Sequence, residues 1–261
     1  MRHKDLGVAL LGLCLAFSSP VMAKDAFEDG PGDNLPTTTT NELNVDQIHD
    51  LEAIGGVADK DCAIYTERGK RSYEVRAWSE SGEIDFLNQP VAISFFTDTG
   101  GSLGTAAGFS RAGAVARWIN TLAPDFAASN RACVSTGQTH LTANAKYRFE
   151  FRETTLFCPR YNSSGTQTSV LMIQMARGTG STCNVEAHFF NQDNGQIVGT
   201  YSSTLTQNNM LVVPAAGVTG VAGTRGHARI AHTCGNGGLK AKLVALEPST
   251  GFSFDTICEQ R

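Results

Sequence analysis

Two lines of the sequence are almost the same: "FFTDTGGSLGT" covers residues 95–105 and "FFNQDNGQIVGT" covers residues 189–200. In each line, Asp and Gly residues separate two apolar arms. Such residues tolerate the positive φ angles that a tight β-hairpin turn requires. Each line therefore predicts a hairpin of two antiparallel strands.

The similarity extends along both halves of the chain at nearly constant spacing. Asp98, Gly100, Leu103, Gly104 and Thr105 match, 95 positions later, Asp193, Gly195, Val198, Gly199 and Thr200. Cys62, Tyr65 and Gly69 match Cys158, Tyr161 and Gly165 at a spacing of 96. We interpret the chain as two β-domains of about 95 residues each. A duplication and an independent convergence on the same hairpin both explain the pattern.

Eight short segments have the composition of β-strands. They are rich in β-branched and aromatic residues and are bounded by Gly, Asn, Asp or Pro. They cover residues 73–78, 91–96, 147–151, 169–175, 184–190, 210–214, 227–232 and 241–246. No stretch keeps a helical period over three turns. The predicted fold is all-β, with two consecutive antiparallel β-sandwich domains after a signal peptide and a flexible acidic linker. A single barrel of about 200 residues is the alternative.

Residues 1–23 have the form of a secretory signal peptide. They contain a basic start, an apolar run from Leu6 to Phe17, and a small-residue pattern that predicts cleavage after Ala23. The apolar run is too short to span a bilayer stably. Cys14 would mark a lipoprotein in an alternative interpretation, but its leucine neighbours are poor for that cleavage. The chain is therefore predicted to be secreted or periplasmic.

After the predicted signal peptide, a strongly acidic segment precedes a body that is nearly neutral in charge. Residues 24–61 carry ten acidic side chains and two lysines, whereas residues 62–261 carry 17 basic and 14 acidic side chains. Residues 24–44 are also rich in Pro, Gly and Thr, which predicts a disordered linker. The predicted domains then cover 45–153 and 154–261, with a short helix or an edge segment at the start of the first.

These patterns exclude two classes of partner. The body of the protein has no concentrated basic face, so nucleic-acid binding is not expected. No segment of the mature chain approaches about 18 consecutive apolar residues, so no membrane span is expected.

Six cysteines remain after the predicted signal peptide, and no two are closer than 24 positions. An even number in an exported protein predicts disulfides, and the wide spacing excludes a C-x-x-C metal knuckle. Bridges within each domain are favoured, with an interdomain bridge as the rival. The favoured pairs are Cys62–Cys133, Cys158–Cys258 and Cys183–Cys234.

The first half resembles the bacterial pre-peptidase C-terminal (PPC) domain, a β-sandwich often appended to secreted proteases. The similar segments are "HDLEAIGGVADKDCAIYTERGKRSYEVRAW" (49–78), "VAISFFTDTGGSLGT" (91–105) and "AKYRFEF" (145–151). The pattern positions are Asp59, Asp61, Tyr73, Val75, Asp98, Gly100 and Tyr147. Cys62 stands where the family usually has a large aromatic, and a disulfide would replace that burial. The second half resembles C-terminal β-modules of unassigned function on secreted bacterial proteins. Both resemblances imply architecture and no activity.

Ser102 lies in Gly100–Gly104, a literal G-x-S-x-G motif. In α/β-hydrolases this motif bends from a strand into a helix and exposes the serine. Here it falls within a predicted hairpin, so we predict no catalytic residue. A small secreted hydrolase that uses Ser102 or a histidine-based metal site is the alternative.

Two weak metal sites can be considered. His188 and Glu186 alternate on one predicted strand and could bind zinc with another histidine, whereas His227 and His232 are five positions apart and point to opposite faces. Hydrogen-bonded or solvated side chains are the plainer interpretation of all of them.

Asp50, Asp59 and Asp61 form the second candidate, a calcium site near the entry to the first sandwich. The PPC resemblance adds that related domains hold calcium near this edge. A solvated turn is the plainer interpretation, and no other cofactor is expected.

Trp78 and Trp118 are the two tryptophans, and both lie in apolar segments. Core packing is the usual fate of such residues, and an exposed glycan-binding face is the alternative. We expect an exported, non-catalytic binding or scaffolding protein whose partner is a protein or glycan at the cell surface.

Overall fold

The structure is a computed structural model that describes residues 43–53, 56, 58–80, 83–84, 91–97, 99–108, 113–142, 144–176 and 182–261. The predicted signal peptide, its cleavage point and nearly all of the predicted linker lie outside these residues, as does Asp98. No helix among the described residues has the length and apolar character to cross a membrane.

Eight strands build the first sandwich. They are β1 (Asp46–Asp50), β2 (Lys60–Arg68), β3 (Ser72–Ser79), β4 (Val91–Thr97), β5 (Ser102–Gly108), β6 (Ala114–Ile119), β7 (Ala127–Ser135) and β8 (Lys146–Glu153). One sheet has the order β1-β8-β3-β6 and the other β2-β7-β4-β5, and every pairing is antiparallel. The segment predicted as a short helix or an edge segment is the edge strand β1.

Eight more strands build the second sandwich. They are β9 (Leu156–Asn162), β10 (Thr168–Met175), β11 (Thr182–Asn191), β12 (Ile197–Thr206), β13 (Met210–Pro214), β14 (Arg225–His232), β15 (Leu239–Glu247) and β16 (Phe252–Gln260), with a short 3₁₀ turn at Ala215–Gly217. Their order is β12-β11-β14-β9-β16-β15-β10-β13. Because β16 pairs with both β15 and β9, it joins the two layers at one side.

The two sandwiches share one topology. Strands β2 to β8 and strands β9 to β15 have the same neighbours, each shifted by seven strands, so β2-β7-β4-β5 corresponds to β9-β14-β11-β12. In the other layer, β8-β3-β6 corresponds to β15-β10-β13, and β16 takes the place of β1. The all-β prediction with antiparallel sandwiches is therefore confirmed.

The two similar sequence lines form equivalent hairpins. The first is the β4–β5 hairpin and the second is the β11–β12 hairpin. Each has a register shift at its Phe-Phe pair, between Phe95 and Phe96 and between Phe189 and Phe190. A bulge at this position bends the edge hairpin in the same way in both sandwiches.

Each sandwich encloses its own apolar core. Alternation along β2 directs Asp61, Ala63, Tyr65 and Glu67 toward the opposite sheet, because side chains of a strand alternate between its faces. The largest fully buried side chains of the first core are Tyr65, Tyr73, Ile93, Tyr147, Phe149 and Phe151. Those of the second are Tyr161, Leu171, Ile173 and Phe189.

Three disulfides close the structure: Cys62–Cys133, Cys158–Cys258 and Cys183–Cys234. These are the pairs that the sequence favours, and none joins the two sandwiches. Cys62 and Cys133 stand opposite each other on β2 and β7, and Cys158–Cys258 ties β9 to β16. Three disulfides fit a protein of an extracellular or periplasmic environment.

The connection between the sandwiches is buried and hydrogen-bonded. Thr154 and Thr155 lie between β8 and β9 with almost no exposed surface. The Ser72 backbone N–H donates to Thr155 Oγ1 over 2.9 Å, and Thr154 Oγ1 donates to Ser72 Oγ over 3.0 Å. The start of β3 therefore holds the connector in place.

Replacement of Gly108 by alanine tests the closure of the first sandwich. A Cβ at this position would overlap the backbone of Gly113, next to β6. We expect Gly108→Ala to lower the free energy of unfolding by roughly 2–4 kcal/mol, because backbone atoms cannot move aside cheaply. Urea denaturation measures this, and Gly217→Ala, where a Cβ meets nothing within 4 Å, is the control. Equal stability of the two variants would contradict the close approach.

Candidate functional site

An open cleft lies between the two free edge strands of the first sandwich. β5 is the last strand of one sheet and β6 is the last strand of the other. The two strands touch where Gly108 meets Gly113, and they are not paired with each other along their length. The sandwich is consequently closed at this corner and open toward the ends at Ser102 and Ile119.

The cleft has a volume of about 400 Å³ and continues past Leu103 into a second hollow of about 660 Å³. Both hollows are lined by Glu67, Leu103 and Asn120. Tyr65, Phe95 and Trp118 add aromatic walls to the first hollow. Spaces of this size are typical of ligand sites.

Glu67 is the buried anion of this cleft, with 6% of its surface exposed. Its Oε2 accepts a hydrogen bond from Trp118 Nε1 over 2.7 Å, and its Oε1 accepts a short one from Asn130 Nδ2. Burial raises the pKa of Glu67, and these hydrogen bonds oppose the rise. Burial, with a contribution from the charge of Glu67, also raises the pKa of Tyr65.

No cation compensates Glu67 within the described part of the chain. The nearest basic residue in the lining is Arg117, but its Nε lies 2.6 Å from Glu74 Oε2 on the outer face of the sheet. Neutral donors, Trp118 and Asn130 among them, therefore hold the Glu67 carboxylate. A buried carboxylate without a counter-ion is costly, and a bound cation would relieve that cost.

The rim of the cleft is apolar and exposed. Leu103, Leu122 and Phe126 expose 54%, 40% and 57% of their surfaces. All three line the second hollow. Exposed apolar side chains grouped around a polar floor are typical of a binding site.

The equivalent space in the second sandwich is filled. Gly199 corresponds to Gly104 at the 95-residue spacing. A Cβ on Gly199 would lie 2.5 Å from Val221 Cγ2 and 2.6 Å from the Thr219 carbonyl oxygen, whereas one on Gly104 would meet nothing within 4 Å. The chain after β13 therefore occupies the side of β12 that stays open beside β5.

The residue at the Glu67 position differs as well. At the 96-residue spacing, Glu67 corresponds to Ser163, which is uncharged. The Ser163 backbone N–H donates to the Thr224 carbonyl, and the Gly223 backbone N–H donates to the Ser163 carbonyl. The second sandwich thus pairs the backbone of this position with the chain after β13, and the first places a buried acid there.

Ser102 lies at the start of β5 within an antiparallel hairpin and is exposed. Among the described residues, no histidine or carboxylate is hydrogen-bonded to it. The hairpin turn, in which the Gly101 N–H donates to Thr97 Oγ1, shows why the G-x-S-x-G string occurs here. It does not form the strand-to-helix bend that a nucleophile requires.

The three aspartates of the predicted calcium site do not form a cluster with other ligands. Asp61 accepts a hydrogen bond from Tyr147 OH over 2.8 Å, and Asp59 Oδ1 accepts one from the Lys60 N–H over 2.8 Å. Both are buried, so the interpretation of a solvated turn is wrong for them. Asp50 ends β1 and is half-buried. Across the described ranges, no group of three or more His, Cys, Asp or Glu residues could hold a metal ion.

The histidines of β11 and β14 are packed more tightly than the sequence indicates. His188 lies 3.5 Å from Glu186, as their alternation predicts, but it has only 1% of its surface exposed. Its cross-strand neighbour Arg229 pairs with Asp125 of the first sandwich over 2.9 Å. The first sandwich therefore covers this face. His232 lies on the opposite face of β14 from His227, as expected, where it stands across from the core residue Val185. It accepts a hydrogen bond from the Cys234 N–H.

A separate hollow, of about 510 Å³, lies at the junction of the sandwiches. The guanidinium groups of Arg71, Arg229 and Arg261 all lie within 6 Å of the Phe157 ring centre. Glu153 pairs with Arg71, and Asp125 pairs with both Arg71 and Arg229. The pair between Asp125 and Arg229 joins the two sandwiches, and we interpret the hollow as part of the junction.

Comparisons with known proteins leave the family open. No family model and no curated protein matches the chain. A solved structure of the full extracellular region of zebrafish Gpr126/Adgrg6 is similar at 11% sequence identity and a TM-score of 0.20. The match covers 85% of this chain and 31% of that chain. The resemblance of residues 49–152 to the PPC domain stays a prediction.

Sequence reasoning missed Glu67, although a signal for it exists. Once β2 is placed, its alternation puts Glu67 on the same face as Tyr65 and Ala63, which belong to the core. An acid at a core-facing position of a strand is unusual. The second hydrogen-bond donor, Asn130, comes from β7 and could not be paired with Glu67 without the register of the sheet.

Two of the buried histidines, His188 and His232, predict a loss of stability in acid. Burial is the main cause that lowers the pKa values of His188 and His232 to about 4, from 6.5. Between pH 6.5 and 4 the unfolded chain therefore binds protons that the folded chain does not bind. The free energy of unfolding falls through this window, by roughly 2–3 kcal/mol for each histidine.

Urea denaturation at several pH values measures this effect. We expect His188→Gln and His232→Gln to flatten the decline between pH 6.5 and 4, whereas His140→Gln, at an exposed position, leaves it unchanged. A decline of the same slope in all three variants would show that other groups cause it.

Proposed function

We propose that this protein is a non-catalytic binding protein that acts outside the cytoplasm, and that its ligand binds in the Glu67 cleft of the first sandwich. The single observation behind this proposal is the buried Glu67 carboxylate, which lies on the floor of an open cleft and forms no ion pair among the described residues. A buried carboxylate without a counter-ion is costly to the fold, and acids whose pKa is raised by burial cluster at functional sites.

The second sandwich supports the proposal as an internal comparison. With the same strand order, it fills the equivalent space with Val218 and Val221 and carries Ser163 at the Glu67 position. The fold therefore does not require either the cleft or the acid. We infer that both serve recognition, with the second sandwich as a docked support.

The chemistry of the cleft also favours binding over hydrolysis. Glu67 is held by Trp118 and Asn130, and its carboxylate has no second carboxylate or histidine hydrogen-bonded to it within the described ranges. The described residues that line the two hollows include no second carboxylate and no histidine, so no acid–base pair faces this space. The small secreted hydrolase remains the alternative proposal, and no observation favours it.

Trp118 supplies a direct test, because its indole donates to Glu67 and lines the cleft. Trp78→Phe leaves Trp118 as the single tryptophan of the chain. We expect a cleft ligand, from panels of oligosaccharides and of peptides, to change its fluorescence. Glu67→Gln in the same background should weaken that binding at least about tenfold, since a charged hydrogen bond is lost.

Glu259→Gln is the matched control, because Glu259 is an exposed glutamate of the second sandwich. Thermal melts of all variants check that they fold. Ligands that bind Trp78→Phe and its Glu67→Gln form with equal affinity would place the binding site elsewhere.

A further inference from the structure

The neighbouring sandwich shows what kind of molecule fits beside a free edge strand of this fold. Beside β12 the occupant is polypeptide: Val218 to Val221 of the same chain. A Cβ on Gly220 would overlap the Val198 carbonyl oxygen, so the backbone of this segment touches the backbone of β12. A peptide backbone is therefore the natural occupant of the equivalent space beside β5.

Among the described residues, the edge of β5 has one feature that usually blocks strand addition, the bulge at Leu103. Its sequence, SLGTAAG, contains no charge and no proline. Residues 102–105 are exposed. Natural sheets protect their edges with lysine, proline, covering loops or twists, because unpaired N–H and C=O groups are a template for another strand. Beyond the bulge, from Gly104 to Gly108, β5 pairs regularly with β4 and offers an uncharged edge of the kind to which a peptide can add as a strand.

Charge identifies the side chain that such a peptide would bring. The cleft contains the Glu67 carboxylate, while the Arg117 guanidinium that lines the wall is paired with Glu74 over 2.6 Å. Thr105 and Thr121 contribute hydroxyl groups and no charge. The cleft as a whole therefore lacks one positive charge, which a lysine or arginine side chain would supply.

We propose that the cleft binds an extended segment of a partner protein, which adds as a strand along β5 and places a Lys or Arg side chain on Glu67. This inference rests on the proposed function and names its ligand class. Backbone pairing along β5 supplies affinity. The buried ion pair with Glu67 supplies specificity, because a segment without a cation leaves the buried carboxylate without a counter-ion.

Selection from a random nine-residue peptide library displayed on phage tests the ligand class. The Trp78→Phe protein and its Glu67→Gln form are the two targets. We expect the first to enrich peptides with a Lys or Arg at one fixed position, flanked by alternating β-branched residues. The Glu67→Gln form should lose the preference at that position. Two results overturn the inference: the Trp78→Phe protein enriches peptides that lack a basic residue, or it enriches no peptides that its Glu67→Gln form does not enrich as well.

Synthetic versions of an enriched peptide test the two contacts separately. Replacement of its basic residue by norleucine should weaken binding at least about tenfold, because the charged hydrogen bond is lost. N-methylation of alternate amides on the β5-facing side should weaken binding by a similar factor, because it removes donors to the edge strand. Affinity that stays unchanged whichever of the two alternate sets of amides is N-methylated excludes strand addition.

A substitution in the cleft wall offers a test that leaves Glu67 intact. Thr105→Lys would place a cation of the chain itself beside Glu67, since Thr105 lines the cleft and is exposed. We expect it to abolish peptide binding. Thr206→Lys, at an exposed position of β12 in the second sandwich, adds the same charge away from the cleft and is the control that should still bind. Peptide binding that survives Thr105→Lys overturns the inference.

The two proposals fail in different ways. If oligosaccharides change Trp118 fluorescence and depend on Glu67 while selected peptides do not bind, the cleft is a ligand site and strand addition is wrong. If neither peptides nor oligosaccharides depend on Glu67, the proposed function fails together with the inference.

Discussion

The structure of this protein depends on how the edge strands of each sandwich satisfy their backbone hydrogen-bonding groups. A sandwich of two open sheets ends in free strands, and the backbone groups of these strands must pair, be covered or face water. In the second sandwich, β16 joins the layers at one side and the segment Val218–Val221 fills the space beside β12 at the other. In the first, Gly108 and Gly113 close one corner, and the rest of the gap between β5 and β6 stays open.

One topology thus serves two purposes in one chain. Strand order and the bulged Phe-Phe hairpin are the same in both sandwiches. The differences are concentrated where the β6–β7 and β13–β14 connections run. One connection sends valines into the core, while the other leaves Leu122 and Phe126 at the surface. A small change in a connection is enough to convert a filled edge into a cleft, because the sheets themselves are fixed by backbone pairing.

Paired charges and a buried connector fix the sandwiches against each other. Arg71 reaches both Glu153 and Asp125, and Asp125 also binds Arg229. Asp125 is half exposed, so its two pairs add little net stability, and they contribute mainly by orienting the two sandwiches. The Asn236 N–H donates to Glu74 Oε2, which also holds Arg117. The second sandwich therefore helps to keep Arg117 paired with Glu74. The charge of Arg117 is thus compensated there, and the electrostatic potential around Glu67 stays negative.

The sequence by itself determined the β class and, by composition, eight of the sixteen described strands, and it favoured the two-sandwich plan and the three cysteine pairs over their alternatives. All eight segments selected by composition are strands, because alternation and turn residues are local properties that the chain carries in any context. Strands β9 and β16 lack that composition, since one contains Pro159 and the other alternates with polar residues on an exposed face. Cross-strand hydrogen bonding rather than local preference makes them strands.

Only the tertiary structure decided the site. Trp118, Asn130 and Glu67 come from three strands in two sheets, and no sequence period relates them. The sequence of its strand predicts an exposed His188. In the structure His188 is buried, because the first sandwich packs against this face of the second. Burial and charge compensation depend on which distant surfaces meet. A chain can specify each strand locally, but where a cleft opens depends on how the sheets pack.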